Sequence, residues 1–164
     1  MAYVDIPTLQ RSLVDQLAAI MPSDWDGNES RIDYAFPGVA QQRALHAWFF
    51  DARGLSVPST QSAGRKRRDQ TWSMSIMVQA MRPVRTLDDS GLNVGQETVD
   101  AAVMEVLGLF DEWIADNPTL GQTSSSDPRV DSAQAESFQL QQGAVANGVG
   151  AIGTFTFTFR ALPK

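Results

Sequence analysis

The chain contains no cysteine and one histidine, His46, in 164 residues. The first absence excludes disulfides, thiolate metal sites and cysteine nucleophiles together. The second excludes histidine-clustered zinc and leaves a single imidazole as candidate general base. Lysine is scarce, two residues against eleven arginines. No apolar run approaches the ~20 residues that span a bilayer. The opening Met-Ala-Tyr-Val-Asp lacks the basic and apolar blocks of a signal peptide. A protein in solution with no membrane partner is expected. Neither a GxSxG elbow nor a phosphate-binding P-loop occurs in the chain.

What is present fits one domain over residues 1–164. The length suffices to bury a core, and an apolar fraction of 43% is that of a globular protein. A net charge of −6 argues against a dedicated nucleic-acid binder. The bases are unevenly spread, four of thirteen lying in the run Arg65-Lys66-Arg67-Arg68. Planar guanidinium suits contact surfaces better than a strongly hydrated ammonium does, although arginine-rich codon usage gives the same ratio.

Ile6, Leu9, Leu13, Leu17 and Ile20 mark one face of a first helix, with Asp5 as its cap, Pro7 in its first turn and Pro22 beyond its end. Residues 22–30 read as an acidic loop, and Ile32, Tyr34 and Phe36 alternate as in a short strand. The aromatic stretch Ala44–Asp51 reads as a strand. Gly54–Gln70 reads as a long mobile loop, a length that inside a compact domain usually serves a function. Trp72, Met74, Ile76, Val78 and Ala80 alternate with polar residues as a half-buried strand. A second helix runs through Val99, Val103, Val106, Leu107, Phe110 and Ile114, with Asn93 and Gln96 at capping-box spacing. Thr119–Pro128 has the composition of a linker, Val130–Leu140 is a polar strand candidate, and Gly143–Gly150 reads as a turn. The chain closes on a strand, Gly153–Leu162, with Phe155, Phe157 and Phe159 on one face and Thr154, Thr156 and Thr158 on the other. Burying each Phe contributes roughly 1.5–3 kcal/mol, which places that face in the core.

Most motifs dissolve on inspection. Gly148-Val-Gly150-Ala-Ile-Gly153 spells GxGxxG, but a dinucleotide site needs that turn to open a helix, and here a strand follows. It reads as a hairpin turn. Asp24-Trp-Asp26-Gly27-Asn28-Glu29 misplaces the glycine and the bidentate acid of a calcium loop. The adjacent acids Asp88-Asp89 and Asp111-Glu112 point apart and form no acid–base pair. His46, inside an aromatic strand, reads as structural. No cofactor or metal is expected. Asp111, Glu112 and Asp116 crowd the negative end of the second helix dipole, where each exposed charge costs roughly 0.3–1 kcal/mol. Either water hydrates them or cations from elsewhere meet them. The Arg65–Arg68 run is open to three readings: a solvated cluster, contact with an acidic neighbouring subunit, or phosphate contact.

The order of elements resembles that of the tail terminator proteins of long-tailed bacteriophages. The likeness is carried by the Leu9/Leu13/Leu17 helix, the strands Ala44–Asp51 and Trp72–Met81 flanking the long loop, the Val99–Ile114 helix and the closing Thr-Phe-Thr-Phe-Thr-Phe strand. The acidic segment 22–33 has no counterpart in that layout. The resemblance implies an α+β fold: an antiparallel or mixed sheet of about four strands packed by two amphipathic helices. It also implies a ring, hexameric, on the head-proximal end of a tail tube, assembled in the bacterial host cytoplasm. Such a ring stops tube polymerisation and offers a surface to head-completion proteins, without catalysis. Its partners would be its own copies, the tail-tube protein and a head-completion protein, with genome DNA passing through unread. The charge blocks suggest that Arg65, Lys66, Arg67 and Arg68 meet Asp111, Glu112 or Asp116 of a neighbour. Other head–tail connectors and minor tail proteins share parts of this layout. A different class of expectation is a binding or enzymatic domain centred on His46, Trp48 and Trp72.

Overall fold

The computed structural model describes residues 4–38, 43–56, 70–83, 89–145 and 148–162. Helix α1 (Ile6–Ile20) is followed by β1 (Asp24–Trp25), β2 (Asn28–Glu29), β3 (Arg31–Asp33), β4 (Leu45–Ser56) and β5 (Gln70–Pro83). Helix α2 (Asp89–Asp116) and the long strands β6 (Arg129–Val145) and β7 (Gly148–Leu162) complete the order. Five strands form one sheet in the order β3-β4-β5-β7-β6, and β1 and β2 form a separate hairpin. The sheet is mixed, because β3 runs parallel to β4 while every other pair is antiparallel.

Both helices lie on one face of this sheet. On β7 the residues Val149, Ala151, Gly153, Phe155, Phe157, Phe159 and Ala161 point to them and are buried. The register carries that face across β5 through Met74, Ile76 and Val78 and across β4 through Leu45, Ala47 and Phe49. Leu9, Leu13 and Leu17 of α1 and Val103, Val106, Leu107 and Phe110 of α2 close the same cluster. Successive residues of a strand alternate faces, so the second face falls to Ser73, Ser75, Thr154, Thr156 and Thr158. No helix covers it. Ser75 Oγ and Thr156 Oγ1 hydrogen-bond across it at 2.9 Å.

Helix α1 forms as its sequence predicts. Asp5 accepts from the backbone N–H of Thr8 at 3.1 Å and from its hydroxyl at 2.8 Å, and Met21 leaves the helix in extended conformation. Helix α2 starts earlier than its capping-box spacing suggests, at Asp89. Asn93 therefore lies within it, and Gln96 is no cap: its amide donates to Asp100 Oδ1 at 2.8 Å and to the Gly150 carbonyl at 3.0 Å. The sheet has five strands rather than about four. The acidic loop 22–30 is a tight hairpin, with Asp26 and Gly27 at φ 51° and 75°, the left-handed pair that a two-residue hairpin turn requires. Tyr34 and Phe36 lie beyond the end of β3. Both ends of the expected long loop are strand, since β4 runs to Ser56 and β5 starts at Gln70; its remainder, 57–69, lies outside the described residues. Residues 119–128 are anchored by Leu120, which is fully buried.

Two glycines separate packing from propensity. A Cβ on Gly153 would collide with Val103 Cγ1 and Leu107 Cδ1, whereas one on Gly108, on the outer face of α2, meets nothing within 4 Å. Gly153→Ala is expected to destabilise by roughly 1–3 kcal/mol through overpacking. Gly108→Ala should stabilise by about 1 kcal/mol through helix propensity; urea unfolding of both variants reads the opposite signs. The Asp5 carboxyl is held below its ordinary value of 3.8 by the Thr8 side-chain and backbone hydrogen bonds and, less, by Arg11. A depressed folded-state value means that the cap contributes fully above 3.8 and is lost as pH falls through the lowered value. Asp5→Ala should therefore lower the urea midpoint at neutral pH, and the difference from the unmodified protein should vanish in acid.

Candidate functional site

His46 is the only imidazole available for chemistry, and the fold consumes both of its nitrogens. It stands on the face of the sheet opposite the helices, fully buried beneath Trp48 and the segment carrying Phe36. The parallel pairing of β3 with β4 sets Arg31 beside His46 and Asp33 beside Trp48. That register brings Asp33 Oδ2 to 2.7 Å from His46 Nε2. The backbone N–H of Arg43 donates to Nδ1 at 3.0 Å. Nδ1 is therefore the unprotonated nitrogen, and the ring proton sits on Nε2, where Asp33 accepts it. No lone pair remains to take a proton from a substrate or to bind a metal. Arg31 Nε, 2.8 Å from Asp33 Oδ1, balances the carboxylate. Such a satisfied buried cluster orients the β3–β4 join, as the sequence reading of a structural histidine expects.

The residues of the supposed binding centre are not brought together. Trp72 pairs with Phe159, on the helix side of the sheet, where its indole N–H donates to Gln70 Oε1 at 3.1 Å. His46 and Trp48 occupy the opposite side. The glycine motif lies within β7 itself instead of forming a turn. Its outer glycines serve close packing: Gly148 lies against the Arg82 carbonyl, and Gly153 lies beneath α2. Asp26 of the calcium-like loop pairs with Arg82 at 3.5 Å. Among the described residues no cluster of three or more His, Asp or Glu could hold a metal ion. No described helix is long and apolar enough to cross a membrane.

What remains is a charged surface. Helix α2 carries seven acids, Asp89, Glu97, Asp100, Glu105, Asp111, Glu112 and Asp116, and no base. Its apolar stripe faces β7, so Glu97, Glu105, Glu112 and Asp116 are exposed while Asp111 is half-buried. The C-terminal turn holds no cation. Asn117 closes it instead, its side-chain amide and backbone N–H each donating to the Trp113 carbonyl at 2.9 Å. Asp111, Glu112 and Asp116 thus form an unneutralised acidic end, without ion pairs among the described residues. The basic run Arg65, Lys66, Arg67 and Arg68 lies outside the described residues.

Two features escaped the sequence. One is Asp33, whose partnership with His46 depends on a parallel register that no local pattern announces. The other is a set of exposed aromatics at the sheet's ends, Phe50 in β4 and Phe138 in β6.

No protein-family model matches the chain, and no curated protein matches it in sequence. Among solved structures it is similar to a chain from the virion of the native gene transfer agent particle, at 11% identity with a TM-score of 0.49. The similarity covers 96% of this chain and 94% of that chain. A likeness at that level does not extend to a role.

His46→Ala is expected to cost roughly 1–3 kcal/mol, the desolvation left on Asp33 and on the Arg43 N–H. Urea unfolding measures this loss. The self-association of the folded variant, followed by sedimentation, should be unchanged, because both ring nitrogens are engaged within the chain.

Proposed function

We propose that this chain is a structural component of a phage-like virion, and within it the tail terminator. In that role it forms a ring, hexameric, that caps the tail tube, stops its growth and offers a joining surface to head-completion proteins. The element order supports this placement. The observation that carries the assembly is the chain's charge partition. Residues 43–70 hold six bases and two acids, and residues 89–145 hold one base and ten acids. Opposite blocks of this size attract unlike surfaces of two copies, the arrangement that builds rings. Arg65, Lys66, Arg67 and Arg68 of one copy would neutralise Asp111, Glu112 and Asp116 of the next, which also relieves the unfavourable helix-end charge.

A second reading within the same class is a neighbouring connector, such as a head-closure or minor tail protein. Purified protein that binds isolated tail tubes and not filled heads supports the terminator; the reverse preference supports the connector. Rings of six in negative stain or native mass spectrometry support either over a monomeric role.

Replacing Arg65, Lys66, Arg67 and Arg68 by Glu should weaken self-assembly and leave the monomer folded by circular dichroism. Salt should weaken the unmodified assembly in parallel, because exposed pairs are screened over about 8 Å at physiological ionic strength. Unchanged assembly of the reversed protein at both low and high salt would discard this interface.

A further inference from the structure

The exposed large apolar side chains sort onto the two ends of the sheet. Tyr34, Phe36 and Phe50 belong to the β3–β4 end, and Val94, Met104 and Phe138 to β6 and the helix packed on it. The two ends are unlike, and three strands separate β3 from β6. Neither patch can cover the other within one chain.

Register places the anchors at matching heights. Phe49 pairs with Ile76, which pairs with Phe155, which pairs with Phe138; Phe50 is the extra residue of a β-bulge between Phe49 and Asp51 and lies within one residue of that height. Arg53 pairs with Ser73, then Thr158, then Gln134, a residue flanked along β6 by Asp131 and Glu136. Successive antiparallel pairings leave β4 and β6 running in opposite directions. A second copy laid beside the first with its strands in the same sense therefore sets its β4 antiparallel to the first copy's β6. Among the described residues β3 pairs only with residues 46–48, and no strand pairs with the outer edge of β4 from Phe50 onward.

Charge selects the same pairing. The Arg53 side chain is 81% exposed, and among the described residues Arg53 pairs with Asp51 while Glu136 has no ion-pair partner. Two β6 edges brought together would instead set Glu136 against an acidic edge, where Asp131 already pairs with Arg160 at 3.9 Å. Breaks in register at Val130/Ser132 and Ala135/Ser137 work against a long backbone ladder along β6, so side chains must carry the contact.

We propose that Phe138 and Glu136 on the β6 edge of one copy seat against Phe50 and Arg53 on the free part of β4 of a second copy. This contact between unlike edges, repeated, propagates around a ring. The inference deepens the ring reading and rests on it for its setting, but the contact itself can be tested alone.

The cysteine-free sequence makes the test direct. In the full chain, Arg53→Cys and Glu136→Cys together should give a ladder of disulfide-linked dimers, trimers and larger species on mild oxidation. Each single variant should stay monomeric on a non-reducing gel. Adding Phe138→Asp to the double variant should slow cross-linking by about tenfold or more, as for loss of an interface anchor. Dimers from Glu136→Cys alone would replace the proposal with a symmetric β6–β6 contact. A double variant that is folded by circular dichroism and yields no ladder would overturn it. The two readings fail separately. A ladder from a protein that binds no tail tubes leaves the contact standing and removes the tail-cap role. Tube binding without a ladder removes the contact and leaves the role.

Discussion

The burial of Phe155, Phe157 and Phe159 beneath α2 is the interaction on which the rest of the structure depends. These rings lie on β7, which pairs with β5 on one side and β6 on the other, so they sit at the centre of the packed face. Their centroids are 5.9 and 6.1 Å apart along the strand, and Phe110 of α2 closes over Phe155 at 6.3 Å. At roughly 1.5–3 kcal/mol per ring, this row rivals the whole net stability of an ordinary domain. It also dictates geometry. With the Phe row committed to the helices, strand alternation sends Thr154, Thr156 and Thr158 to the opposite face.

That two-sidedness has a consequence for charge. The helices lie on one face only, and α2 turns its apolar stripe inward. Four of its acids, Glu97, Glu105, Glu112 and Asp116, are left exposed, with no base on the same helix. Such an arrangement is poor for an isolated helix and useful for a subunit whose neighbour brings cations. The sheet's ends add a second asymmetry. One end presents Phe50 and Arg53, and the other presents Phe138 and Glu136. A molecule with unlike ends suits head-to-tail contact, which is the geometry proposed for its ring.

The single imidazole is committed to the fold. His46 has its Nδ1 occupied by a backbone N–H and its Nε2 proton held by Asp33. The imidazole acts as a bolt between β3 and β4. A histidine placed in an aromatic strand reads as structural from sequence, but its partner does not, because Asp33 lies thirteen residues away in a parallel pairing.

Periodicity by itself determined a good deal here. The spacing of Leu9, Leu13 and Leu17, the Asp5 cap, the Val99–Ile114 stripe and the Phe/Thr alternation each report a local period, and a period survives in one dimension. Absent cysteine and a lone histidine likewise limited the chemistry before any fold was known. Tertiary structure alone decided the rest. The early start of α2 and the hairpin at residues 24–29 depend on contacts that outweigh local capping and loop composition. The mixed sheet, the separation of Trp72 from His46 by the thickness of the sheet, and the meeting of Asp33 with His46 are matters of register. So is the shared height of Phe49, beside the bulged Phe50, and Phe138 on opposite ends. Register is set by which strands pair and where, a relation between distant segments that no single stretch of sequence contains.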